Sequence, residues 1–287
     1  MATLRELKNR LRGVRTTRQL AGAMRTVAAA KYSRAAELIE GCEAYAAAAG
    51  ELALLCGGAE ERKRRDRRAD PPAVRETPEL LVLVSSNRGL CGGYNHELFS
   101  FFSEELERRS EPPLVIAVGR MAADYCREKH IGLLDSFVFA DVPDFASARA
   151  LAERLTALSE GGEVSSVGFI FRRFVNMLRS VPEKRRFLPL AEEEAPEEKP
   201  AEEPLFIPDR RTVSGTLRSL CLASEVHSIL LSCASGAQAA TLMAMRSAYD
   251  NAMNACAALE TQINRRRQAS VTQSVIETSA DADNYSF

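Results

Sequence analysis

Apolar residues at Leu4, Leu7, Leu11 and Val14 recur at alternating steps of three and four, and the series continues through Ala21, Ala28, Tyr32, Ala35, Ile39, Cys42, Ala46, Ala49, Ala53 and Cys56. Such spacing places these side chains along one side of an α-helix, and a stripe sustained over so many heptads predicts a coiled-coil helix rather than a short core helix. Its members are mostly small, which lets a partner helix come close. Arg18 and Arg25 interrupt the stripe, with Thr17 and Met24 beside them. No proline precedes Pro71, Gly57-Gly58 ends the helix, and Glu60 to Pro72 reads as a charged loop. The end of the chain mirrors its beginning. After Pro208 there is no proline, and Leu242, Met245, Tyr249, Ala252, Cys256, Leu259 and Ile263 keep heptad steps. A helix from about 210 to 276 would be roughly 100 Å long at 1.5 Å per residue, with Gly215 and Gly236 as its weak points.

Between these segments the period changes. Leu80 to Ser85, Leu114 to Val118 and Val164 to Phe171 read as strands, Phe137-Val138-Phe139 as a short strand and Ser180 to Leu188 as an edge strand. Helices are predicted at Tyr94 to Arg109, Arg120 to Lys129 and Phe145 to Leu158. Strands alternating with helices predict a Rossmann-like α/β domain with a largely parallel sheet. Ala191 to Pro204, rich in proline and glutamate, reads as a solvated linker. The chain thus divides into an N-terminal coiled-coil helix (1–58), the α/β domain (78–190), an acidic linker (191–208) and a C-terminal coiled-coil helix with a polar tail (209–287). Neither long helix can bury its seam alone. The economical fold is a long antiparallel two-helix coiled coil formed by the N- and C-terminal segments, with the Rossmann-like α/β domain inserted between them.

The formal net charge of the 287 residues is −1, but it is unevenly spread. From Arg5 to Arg34 nearly every charge is positive, with Glu6 the exception, whereas Glu192 to Glu203 is acidic apart from Lys199. A basic segment of this kind suits an acidic partner, nucleic acid included, or is simply a solvated helix face. The seven cysteines contain no C-x-x-C pair and the three histidines lie far apart, which argues against a zinc site. The first residues lack an apolar signal core, and no run of about 18 apolar residues is evident, so the chain is expected to keep reduced thiols and not to span a membrane.

Ser85 to Gly93 follows the first strand, and Gly89-Leu90-Cys91-Gly92-Gly93 fits a G-x-C-x-G pattern. A nucleophile on a sharp strand-to-helix turn is one way to expose a reactive thiol. A nucleophile also needs a base within reach. His96 follows by only five residues, and His130 and His227 have no acidic orienter at a suggestive spacing. The stronger reading is that the glycines allow a tight turn and close packing, with Cys91 a small buried filler. The loop matches neither G-x-G-x-x-G nor a P-loop, so no phosphate cofactor is expected.

Three stretches resemble the gamma subunit of F-type ATP synthases, and the resemblance extends over essentially the full length. Thr16 to Lys31 is similar to the family's T-x-K-I-T-K-A-M-x-x-V-A-A-S-K, and Ser86 to Asn95 to its S/T-D-R-G-L-C-G-G-x-N. Met243 to Ala252 and Asn264 to Thr272 are similar to its R-M-x-A-M-x-x-A-T-D-N-A and Y-N-K-x-R-Q-A-x-I-T. The resemblance implies a non-catalytic rotor without cofactor or metal, seated in a hexamer of alpha and beta subunits and standing on the membrane c-subunit ring beside the epsilon subunit. It would be peripheral to the cytoplasmic face of the cell membrane and would couple proton or sodium flow to ATP synthesis or hydrolysis. It implies that Arg18, Met24 and Arg25 meet the beta subunits, that Arg267 and Gln268 contact the surrounding subunits, and that Arg88, Gly89, Cys91, Gly92 and Gly93 form a structural loop. Gly22, Asn87 and Tyr249 stand where the family pattern has lysine, aspartate and threonine, and the tail from Ser279 to Phe287 is polar and acidic. Two other readings are a basic coiled-coil adaptor and a cysteine hydrolase using Cys91.

Overall fold

The structure is a computed structural model that describes residues 3–57, 77–109, 111–188, 206–207 and 209–284. The charged loop at 60–72 lies outside the described residues, as does the linker at 191–208 except for 206–207. Two long helices, α1 (Leu4–Gly57) and α5 (Arg210–Asn284), bracket a five-stranded sheet. The start of α1 is a reciprocal capping box. The Thr3 amide donates to Glu6 Oε2 at 2.8 Å, and the Glu6 amide donates to Thr3 Oγ1 at 3.2 Å. Asp209 caps α5 in the same spirit, accepting from the Thr212 amide at 2.9 Å.

The chain folds as two compact units. The smaller comprises Met1–Ala28 and Thr241–Phe287. Its core is a seam: Leu7, Leu11, Cys256 and Leu259 cluster with Val14 and Ile263, and Ala21, Ala28, Met245 and Ala252 are buried along the same line. Arg15 pairs with Glu260 at 2.6 Å, and Gly22 faces Tyr249, so the two helices run antiparallel.

The larger unit, Ala29–Ala240, holds the sheet, in the order β3-β2-β1-β4-β5. Strands β1 (Leu80–Val84), β2 (Leu114–Val118), β3 (Leu133–Phe137) and β4 (Val167–Asn176) are parallel, and β5 (Arg179–Leu188) is the antiparallel edge. Alternate residues of β1 face opposite layers, as pleating requires. Leu80, Val82 and Val84 join a core shared with α4 (Phe145–Glu160) and with Leu222, Val226, Ile229 and Leu230 of α5. Leu81 and Leu83 join the other core, with α2 (Tyr94–Glu107) and α3 (Arg120–Glu128). Within this unit α1 and α5 are again antiparallel. Cys42 reaches Ser224 and His227, and the Ala49 carbonyl accepts from Cys221 Sγ at 3.0 Å.

The structure corrects several sequence expectations. The third strand is Leu133–Phe137, not Phe137 to Phe139, and Phe139 instead stacks on Phe137 beyond its end. As an edge strand with half-exposed alternation, Leu133-Leu134-Asp135-Ser136-Phe137 carries no apolar run to betray it. The fourth strand starts at Val167 and continues past Phe171 through two arginines, because it is the inner arm of a hairpin with β5. Helix α5 is unbroken at Gly215 and Gly236. Gly236 is small for packing: a Cβ there would lie 3.1 Å from Tyr94 Cε2. By length and composition α5 also contains a window apolar enough to cross a membrane, but 56% of that window is buried inside the protein. Within α5, Leu222, Val226, Ile229 and Leu230 pack in the core of the sheet.

Candidate functional site

The glycine-rich loop is a backbone device. Ser85, at the end of β1, accepts from the Ala122 amide at 2.7 Å and so covers the first turn of α3. Gly119 lies against it with φ +96, and a Cβ there would sit 2.4 Å from the Ser85 carbonyl oxygen. The loop turns through two left-handed residues, Leu90 (φ 64) and Gly92 (φ 58). Leu90 is 63% exposed, an apolar side chain held outward on a strained backbone. Cys91 is buried, packed with Tyr94 and Ala237 of α5. Its sulfur lies 3.3 Å from Asn95 Nδ2 and within reach of the Arg88 carbonyl and Ser86. These partners supply no general base.

Behind the loop sits a network that sequence reasoning missed. Arg172, on β4, is buried. It donates to Glu97 Oε2 at 2.5 Å, to the Ser180 carbonyl at 2.6 Å and to Ser180 Oγ at 3.0 Å, with its guanidinium 5.1 Å from the Tyr94 ring centre. The Tyr94 hydroxyl donates to the Cys233 carbonyl of α5 at 3.1 Å, and burial pushes its pKa well above the ordinary phenol value. A second network ties the loop to α1. Lys31 pairs with Asp141, whose carboxyl is held below its usual pKa chiefly by the Lys31 hydrogen bond. Arg88 lies 3.9 Å from the same carboxylate, and Asn87 Nδ2 donates to the Phe139 carbonyl at 2.7 Å. An aspartate at 87 could not make that donation.

In the smaller unit, Arg18, Met24 and Arg25 are half-buried, and Arg25 sits 4.9 Å over the Tyr249 ring. Arg267 and Gln268 are exposed, in a stretch where every residue from Asn264 to Ile276 is exposed. The seam cluster reaches no further than Ile263, opposite the first turns of α1. Sequence reasoning also missed the apolar residues left on the surface of this unit: Leu20, Val27, Met253, Val271, Val275 and Ile276. Their signal was available, since Leu20 and Val27 each precede a buried seam alanine and so fall off the seam.

A family model described as ATP synthase matches residues 3–283. The ATP synthase gamma chain of Moorella thermoacetica is 31% identical over 285 residues, covering 99% of both chains, and that of Acidiphilium cryptum is 32% identical over 298 residues, again 99% of both. The chain belongs to the ATP synthase gamma family.

Solved structures agree on the fold of this gamma-family chain. A chain from the Euglena gracilis mitochondrial ATP synthase, in an OSCP/F1/c-ring structure in rotational state 3, matches with a TM-score of 0.67 at 13% identity, over 98% of this chain and 94% of that one. A chain from the central stalk and c-ring of the Tetrahymena thermophila enzyme matches with a TM-score of 0.55 at 21% identity, over 80% and 99%. The geometry also explains a departure from the gamma pattern. Gly22 and Tyr249, which replace lysine and threonine, are neighbours: a Cβ on Gly22 would be 3.5 Å from the Tyr249 ring. The Tyr249 ring lies in ordinary contact distance of position 22, and Arg25 supplies a cation above it.

Proposed function

We propose that this gamma-family chain is the turning shaft of an F-type ATP synthase, non-catalytic in itself, with the smaller unit enclosed by alpha and beta subunits and the larger one meeting the epsilon subunit and the c-subunit ring. The chain is a central-stalk subunit that couples transmembrane ion flow to ATP synthesis or hydrolysis. The complex would hold it at the cytoplasmic face of the cell membrane without a membrane span of its own. The observation that carries this reading is the uncovered stretch from Asn264 to Ile276, with Val271, Val275 and Ile276 exposed. A lone helix of that length is marginal in water, so it calls for a surrounding sleeve. Arg267 and Gln268 lie within it, where contacts that form and break during rotation act on turnover rather than on folding.

The test is the double change Arg267→Ala with Gln268→Ala. The free subunit should melt within about 0.5 kcal/mol of the parent, as exposed substitutions do. The complex reconstituted with alpha and beta subunits should assemble, yet hydrolyse ATP more slowly. An unchanged rate would remove these residues from the rotary contact.

A further inference from the structure

The strongest unassigned chemistry lies in the larger unit, where α1 and α5 meet the turn before α4. Cys42 Sγ is 3.4 Å from His227 Nδ1. The other ring nitrogen, Nε2, is 3.3 Å from the Pro143 carbonyl oxygen. A carbonyl can only accept, so Nε2 carries the proton and donates, which leaves Nδ1 of the neutral ring as the acceptor facing the thiol. Phe145 packs edge-on against the imidazole with centroids 5.7 Å apart and holds its plane. Asp144, the N-cap of α4, stands between Pro143 and Phe145. Its carboxyl is kept below the usual range chiefly by its hydrogen bonds with Ser147. Cys42 is half-buried, so a small reagent can reach it. Three other thiols differ. Burial pushes Cys126 up to about 11, Cys233 up to about 12, and Cys221 upward.

We propose that Cys42 is a reactive thiol activated by His227 and a site of thiol–disulfide exchange with low-molecular-weight disulfides. The Cys42 proton passes to Nδ1, and the thiolate attacks one sulfur of the disulfide. A new S–S bond forms as the disulfide's own S–S bond breaks, and the departing sulfur leaves as a thiolate that takes the proton back from Nδ1. Cys42 is oxidised and the departing sulfur is reduced. The adduct would wedge between α1, α5 and the Pro143–Phe145 turn and loosen their packing, giving the subunit a reversible response to disulfide stress.

The full-length chain, treated separately with limiting iodoacetamide and with oxidised glutathione, would be read by mass spectrometry at each cysteine. Cys42 should react at least about tenfold faster than Cys221, which is also half-buried but has no imidazole on its sulfur, because each unit of lowered thiol pKa raises the thiolate fraction near neutrality up to that factor. His227→Gln should slow Cys42 by about the same factor and leave Cys221 unchanged. Cys42 reacting no faster than Cys221, or an unchanged Cys42 rate in His227→Gln, would overturn the proposal. Should His227→Gln unfold the chain, the Cys221 rate would rise with it, and the parent's ratio of the two rates then decides.

Discussion

The two units use the same pair of helices in opposite ways. In the larger one, α5 is buried over a wide face, with Leu222, Val226, Ile229, Leu230 and Cys233 closing a core that also takes Phe169, Phe171 and Phe187. In the smaller one, burial narrows to a single line of leucines and alanines with Met245 and Cys256, and apolar side chains on both helices stay in water. Hydrophobic stabilisation scales with the apolar area removed from water. The larger unit therefore specifies its own fold, whereas the smaller one leaves apolar surface for a partner to cover.

Three substitutions probe that contrast. Phe169→Ala, at a fully buried site where the ring meets Phe187 edge-on, should cost about 4 kcal/mol in denaturant unfolding of the isolated chain. Leu11→Ala removes one member of a four-residue buried cluster in the smaller unit and should cost only about 2 kcal/mol, because the thin seam can partly close. A loss equal to that of Phe169→Ala would mean the seam is as tightly packed as the sheet. Val275→Ser should change the stability of the free chain by less than about 0.5 kcal/mol. In co-purification it should nonetheless reduce recovery with alpha and beta subunits. Unchanged recovery would make the exposed valine mere surface.

Much of this architecture was legible in the residue order. The seam could be read because a helix repeats its contacts every three or four positions, and β1 and β2 because strands covered on both faces are continuous apolar runs. What escaped was non-local. Strand β3 is half-exposed at the sheet edge and borrows its identity from β2. Arg172 looks like an ordinary strand arginine until the hairpin and α2 surround it with Ser180, Glu97 and Tyr94. Gly22 and Tyr249 were visible as two separate oddities, and only antiparallel pairing makes them one contact. His227 lacked a partner at any suggestive spacing, because its thiol lies 185 positions earlier. The contact roles proposed for Arg18, Met24, Arg25, Arg267 and Gln268 rest on resemblance alone, since the partners proposed for them are other chains.

The same antiparallel pairing has a consequence for biosynthesis. Arg15 finds Glu260 across 245 positions of sequence, and Leu7 and Leu11 close on Cys256 and Leu259. At ribosomal speeds of about 5–20 residues per second, α1 leaves the exit tunnel on the order of ten seconds or more before its partner helix is made. During that interval its seam leucines and alanines lack their α5 partners, and so does the sheet face that Leu222, Val226, Ile229 and Leu230 close. Helix α1 is satisfied only once α5 has been made, and until then the nascent chain is exposed to aggregation or chaperone capture along the α1 seam.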